Sequence, residues 1–311
     1  MNNLPKICLG AWAWGNDGTF GNVLTEEMLK PVFEEGMKLG LNFWDTAYVY
    51  GMGESEKILG HFLKNKNRKD YYISAKFTPQ CAGMFGNNPV RNMYEESNKL
   101  LNTQGIIDFY WVHNPVGSPR WIKEIIPLAK EGKIKHIGVS NHSLKEIKEA
   151  NEILAKEGLK VDAVQNHYSL INRSSETSGI LDYCKEKNII FFSYMVIEQG
   201  ALTGVYNEAN PFPKDSDRGR KYNPLLPKLK IINEALEKVA LNHNSTISEI
   251  ATAYVINKGT LPIVGVTKIK HVEEAYISSQ IVLSSDEIKH LEDVADSLNL
   301  NTIREWEKEM K

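Results

Sequence analysis

The chain has 311 residues, 42% of them hydrophobic and 24% charged, the balance of a globular protein able to bury a sizeable core. Its net charge of −2 gives no electrostatic case for nucleic acid or an anionic membrane surface, and no apolar run approaches the ~20 residues that span a bilayer. Cys8, Cys81 and Cys184 are far apart and form no C-x-x-C pair. That argues against a disulfide framework or structural zinc and suits a reducing compartment. The first residues lack the basic-then-apolar pattern of a signal peptide, so the expectation is a soluble cytoplasmic protein.

Short apolar runs alternate with longer helical patterns. In chain order the runs are 6–10, 41–45, 71–76, 106–113, 135–139, 161–165, 189–194 and 262–266. Between them lie amphipathic stretches, such as Leu29, Val32, Phe33, Gly36 and Met37, or Ile122, Ile125, Ile126 and Ala129, at helical spacing. Three capping boxes mark helix starts, Ser143 with Glu146, Thr246 with Glu249 and Ser284 with Glu287. Strand–helix alternation with right-handed crossovers predicts a parallel sheet, and eight units predict a closed (β/α)8 TIM barrel, which typically needs about 250 residues. An open doubly wound sheet is disfavoured, because the turn after the first run has no G-x-G-x-x-G. Residues 1–311 read as a single domain. The first run starts almost at Met1, leaving no room for a hairpin under the barrel floor. The segment 200–227 reads as one long irregular piece, either a lid or a plain surface excursion. After the last strand the pattern predicts an extra C-terminal helix near 284–298 and a brief polar tail containing Arg304, Glu305 and Trp306.

Polar residues stand where successive strands end. Asp45 ends the second run, with Tyr50 just after it; Lys76 ends the third and His113 the fourth. Singly, each is compatible with turn or packing roles. Together they fit one chemistry at the C-terminal mouth of a barrel. A phenol has a pKa near 10. A nearby ammonium lowers it, and Asp45 can hold Lys76 charged and oriented. His113 can donate to a substrate carbonyl or relay protons with Tyr50. Such a site would protonate a carbonyl oxygen as a hydride arrives at carbon, and the hydride must come from a cofactor.

With these residues the chain resembles an aldo-keto reductase over nearly its whole length. Asp45, Thr46 and Ala47 with Tyr50, Gly51, Glu54 and Gly60 resemble the family's first signature, and Lys76 and His113 complete its catalytic tetrad with Tyr50 as general acid. The resemblance implies that Ser140, Asn141 and Gln165 hold the nicotinamide carboxamide and that Tyr194 stacks on the ring. It implies further cofactor contacts from Gly10, Ala11, Trp12 and Asp45. The segment from Gly265 through Thr267, Lys268, His271 and Glu274 leads from a strand into a helix and is expected at the adenosine 2′-phosphate. NADPH is the implied cofactor, with NADH as the alternative, because His271 and Ala275 stand where relatives often carry Arg and Asn. Short loops and tail imply an open site for small aldehydes or ketones, lined by Trp14 and Trp111 beside Tyr50 and His113. A cofactor-binding sensor of the same fold is the competing reading. A metal-dependent hydrolase is set aside, because the strand ends lack His-x-His pairs or clustered carboxylates.

Overall fold

The computed structural model describes residues 4–21, 23–304, 307 and 310; the expectations for the first three residues and for Glu305 and Trp306 lie outside these. Eight parallel strands close into a barrel in sequence order: β1 Cys8–Gly10, β2 Phe43–Asp45, β3 Tyr72–Phe77, β4 Ile107–Val112, β5 Ile134–Ser140, β6 Ala163–His167, β7 Ile190–Tyr194 and β8 Leu261–Gly265. β1 pairs with both β2 and β8, with Gly10 opposite Asp45 and Gly265, so the ring has no free edge. Each run read from sequence is a strand, and among the described residues none precedes β1. Helices α1 Glu26–Lys38, α2 Glu54–Leu63, α3 Pro89–Leu101, α4 Ser118–Lys130 and α5 Leu144–Ala155 connect the first six strands. The short α6 Ser174–Thr177 and α7 Ile180–Glu186 lead to β7; α8 Asp217–Tyr222, α9 Leu226–Asn242 and α10 Ile247–Asn257 lead to β8. Two more, α11 Ile269–Ser278 and α12 Ser285–Leu298, follow. The three capping boxes form as read, starting α5, α10 and α12. No helix among the described residues is long and apolar enough to cross a membrane.

Alternation along the strands sorts the chemistry. Successive side chains point to opposite faces. Phe43, Phe109, Trp111, Ala163, Phe192 and Leu261 pack inside the barrel with Cys8, whereas Trp44, Ile73, Tyr110 and Val164 join the larger core beneath the helices. Asp45, Lys76, Ser140, Gln165 and Tyr194 share the inward parity and stand above that apolar plug.

Two segments differ from expectation. Residues 200–227 contain α8, started by the Ser216 hydroxyl on the Gly219 amide at 2.9 Å, and Pro227 already lies in α9. Phe212 and Tyr222 are buried there, so the segment is packed rather than a loose excursion. The tail is docked as well: Thr302 and Arg304 are buried, and Lys221 and Lys228 bind the carbonyls of Ile303 and Leu298 at 2.6 and 2.7 Å. The mouth is therefore partly covered rather than open.

Candidate active site

Lys76 organises the site. It is fully buried at the end of β3, and its ammonium donates to Asp45 Oδ1 at 2.6 Å, Thr46 O at 2.9 Å and Tyr50 Oη at 3.2 Å. All three protons are thus committed, which fixes the geometry and leaves the Tyr50 hydroxyl proton free to be given elsewhere. Burial works against the Lys76 charge, but Asp45 and Tyr50 outweigh it and lift the pKa above its ordinary value. Burial likewise pushes the Tyr50 phenol up, and this outweighs the lowering by Lys76. The expectation of a lowered Tyr50 pKa is corrected: without cofactor and substrate, desolvation of the phenolate costs more than the ammonium returns. Tyr50 is a protonated donor across the neutral range.

His113 follows β4. Burial, then Lys76, holds its pKa well below the usual imidazole range, so the ring is neutral. Its Nδ1 lies 2.9 Å from Thr78 Oγ1; with Thr78 donating, the ring proton sits on Nε2 and can point at a carbonyl oxygen. The Tyr50 and His113 rings meet edge-on with centroids 5.9 Å apart. The loop carrying Tyr50 is pinned to the loop after β1 by two glycines. Gly51 has φ +66°, and a Cβ there would lie 1.9 Å from Gly15 O. Only backbone fits that crossing.

The two further tryptophans expected at the substrate are displaced from it. Trp14 is fully buried behind the sheet, its indole donating to Val266 O at 2.7 Å and its ring against Trp44; it belongs to the core. Trp111 is inside the barrel but completely buried one layer below the mouth, donating to Ser74 Oγ at 2.6 Å, which in turn donates to Asp45 Oδ2 at 2.5 Å. It supports Asp45 from beneath. Instead Trp12, expected at the cofactor, stacks on Tyr50 at 5.6 Å and 22°.

The expected cofactor residues fall on one side of this group. Gln165 Nε2 is 3.4 Å from Asp45 Oδ2. Asn141, in the left-handed region at φ +62°, donates to His113 O at 3.1 Å and to Ser140 Oγ at 3.2 Å, and its Oδ1 accepts from Tyr194 Oη at 2.5 Å. His142, which the sequence reading passed over, secures this loop: Nδ1 meets Ser140 O and Nε2 meets Ser118 Oγ, both at 2.7 Å. Gly10 and Ala11 line the mouth end of β1, and Ala11 O accepts from Ser55 Oγ at 2.7 Å. A Cβ at Gly265 would meet nothing within 4 Å, so the inner face of β8 is open beside Gly10. At the start of α11, Thr267 N donates to His271 Nδ1 at 3.2 Å. Burial, then Lys268 and Lys270, lowers the His271 pKa, which keeps it a neutral acceptor. Lys268 is exposed, and Glu274 is paired to Lys270 at 3.4 Å.

From the packed 200–227 segment Arg218 reaches over the Phe20 ring at 5.9 Å, spanning from the β7 loop to the β1 loop. Its Nε and Gln199 Oε1 are buried and have no hydrogen-bond partner among the described residues. This open β8 lining, the amide-reading trio and two unpaired polar atoms suit an elongated polar ligand such as a dinucleotide. The sequence also missed Glu56. Glu54, singled out from the signature, is surface-exposed and paired with Lys57 at 3.5 Å. Glu56 is fully buried. Among the described residues no group of three His, Cys, Asp or Glu side chains could hold a metal.

A sequence profile described as the aldo/keto reductase family matches residues 6–296. The chain is 31% identical to an aldo-keto reductase of Gibberella moniliformis, covering 93% of this chain and 90% of that one. It is 29% identical to the NADP(+) aldo-keto reductase yakc of Schizosaccharomyces pombe over 88% and 84% of the two chains. The fold is shared with the glycerol dehydrogenase of Gluconobacter oxydans, with TM-score 0.81, 24% identity and coverage of 97% and 94%. The eight-stranded barrel, the acid–lysine–tyrosine–histidine group at its mouth and this whole-length match give one conclusion: the chain belongs to the aldo/keto reductase family.

Proposed function

We propose that Tyr50 is the general acid of an NADP(H)-dependent reduction of aldehydes or ketones to alcohols. The observation that carries the assignment is the Lys76 ammonium, whose third proton goes to Tyr50 Oη. The phenol oxygen accepts there, so its own proton is directed away from Lys76 and toward the mouth. Bound cofactor supplies the hydride for the carbonyl carbon. This chain's residues do the rest. Neutral His113 donates from Nε2 to the carbonyl oxygen and orients it, and Tyr50 gives that oxygen its proton. The resulting phenolate is stabilised by Lys76, which Asp45 and Thr46 hold in place. Trp12, stacked on Tyr50, forms an apolar wall that favours small aryl or alkyl carbonyls.

Ser140, Asn141 and Gln165 are the groups for the nicotinamide amide, Tyr194 is the aromatic wall, Gly10, Ala11 and Gly265 provide the clearance, and Thr267 with Lys268 face the 2′-phosphate. Glu274 is bound to Lys270 and is assigned to shaping α11. Three free, buried cysteines suit the reducing conditions of the cytoplasm.

The test follows loss of reduced-cofactor absorbance with NADPH and NADH against a panel of aldehydes and diketones. Tyr50→Phe is expected to bind cofactor as the parent does and to lose turnover by about 10²–10⁴-fold. Normal turnover in the variant would reject Tyr50 as the acid. Tight cofactor binding with no turnover in the parent would favour a sensor.

A further inference from the structure

A second buried charged group lies beside the tetrad, and the reading so far does not use it. His167 ends β6, one position in register from Tyr194 on β7. Its Nε2 lies 2.8 Å from Glu198 Oε1 and its Nδ1 3.0 Å from Glu307 Oε2. All three side chains are nearly inaccessible, at 5%, 0% and 2% exposure. Glu198 is also bound by Ser169, Tyr222 and Thr302 at 2.5, 2.7 and 3.2 Å. Burial works against the imidazolium, but the two carboxylates outweigh it and push its pKa up to about 10. His167 is therefore a cation that clamps a tail residue into the mouth.

The clamp presents the other oxygen of Glu307 to Tyr194. Tyr194 Oη is 2.9 Å from Glu307 Oε1 and 2.5 Å from Asn141 Oδ1. Both are acceptors, and a phenol has one proton. The Asn141 amide nitrogen is already turned to His113 O and Ser140 Oγ, so Asn141 cannot rotate away from the competition. A carboxylate is the stronger acceptor. With Glu307 in place the Tyr194 proton goes to it, and the Asn141 carbonyl oxygen remains available.

We propose that Glu307, delivered by the C-terminal tail and held by His167, is a positioning residue of the cofactor site. It draws the Tyr194 hydroxyl proton away from Asn141 and so frees the Asn141 carbonyl for the nicotinamide amide N–H. This rests on the reading of Asn141 and Tyr194 as nicotinamide contacts.

The test is a double-substitution cycle read by binding rather than turnover, using quenching of protein fluorescence by NADPH and by NADP. Glu307→Ala is expected to weaken binding by about tenfold, the value of one hydrogen bond to a charged group. Tyr194→Phe in that background removes the competing hydroxyl and is expected to restore most of the loss, which a purely structural role of the tail would not do. Glu307→Gln keeps the size and an acceptor oxygen and is expected to fall between. In steady state the loss should appear in the cofactor KM more than in kcat. Unchanged affinity in Glu307→Ala overturns the proposal, and so does a loss that Tyr194→Phe leaves in place. If the unaltered protein binds neither form of the cofactor, the underlying reading fails and this one fails with it.

Discussion

Glu56 offers a measurement in which burial alone sets the answer. It lies on α2 facing Ser97 of α3 and Tyr110 of β4, and both its oxygens, Ser97 Oγ and Tyr110 Oη have no hydrogen-bond partner among the described residues. Burial raises its pKa from 4.5 to about 8, with Ser97 and Lys76 only partly opposing. The carboxyl is neutral at pH 7, so Asp45 is the carboxylate that balances Lys76. Because the folded pKa lies above the unfolded one, the stability tied to this proton is complete below pH 4.5. It is lost as pH rises toward 8, then levels off. At ~1.4 kcal/mol per unit the loss is about 5 kcal/mol, a large part of the 5–15 kcal/mol that holds a typical domain together. Glu56→Gln keeps the shape and removes the titration. Urea unfolding followed by tryptophan fluorescence from pH 4.5 to 9 should give a parent whose stability falls relative to the variant by about this amount, with the two curves closest at the acid end. Parallel curves would refute the argument that Glu56 is desolvated and unpaired.

Two other outcomes follow from close contacts and charge. Gly138 opposes Trp111 on the inner wall, and a Cβ there would lie 2.1 Å from the indole; Gly138→Ala should destabilise the protein by about 1–3 kcal/mol in thermal unfolding. It should also slow turnover by displacing the Trp111–Ser74–Asp45 chain. Since His271 stays neutral, Lys268→Ala should raise the KM for NADPH by about tenfold while leaving that for NADH nearly unchanged, as steady-state kinetics with both cofactors would reveal.

The strands were legible because each is a short apolar run ending in a polar group, and strand parity then carried Asp45, Lys76 and His113 inward together. Direction within the loops was not legible. Trp12 and Trp14 are two residues apart in a 3-10 turn at Trp12–Gly15; one faces Tyr50 and the other the core, and no periodicity distinguishes them. Trp111 had the right parity but lies a layer too deep, a depth set by the register that places it opposite Lys76 and Gly138. Glu56 could have been found: it is in helical phase with Leu59, Gly60 and Leu63, the buried stripe of α2. The balance of burial against Lys76 at Tyr50 depends on desolvation, which sequence does not report. The docked tail rests on pairs such as His167 with Glu307, separated by 140 positions, and such pairs leave no local trace.

The closure of the ring by β1 and β8 also constrains how the protein comes into being. Gly10 is among the first ordered residues and its partner Gly265 is near the end, so the clearance for the cofactor exists only once almost the entire chain has emerged and folded. Pairings between such distant segments are slow to form. A nascent chain carrying Asp45, Tyr50, Lys76 and His113 would already hold its proton-transfer residues, yet could not grip a dinucleotide. Ligand binding therefore stabilises only the finished barrel, and it would reward completion of folding rather than guide its early steps.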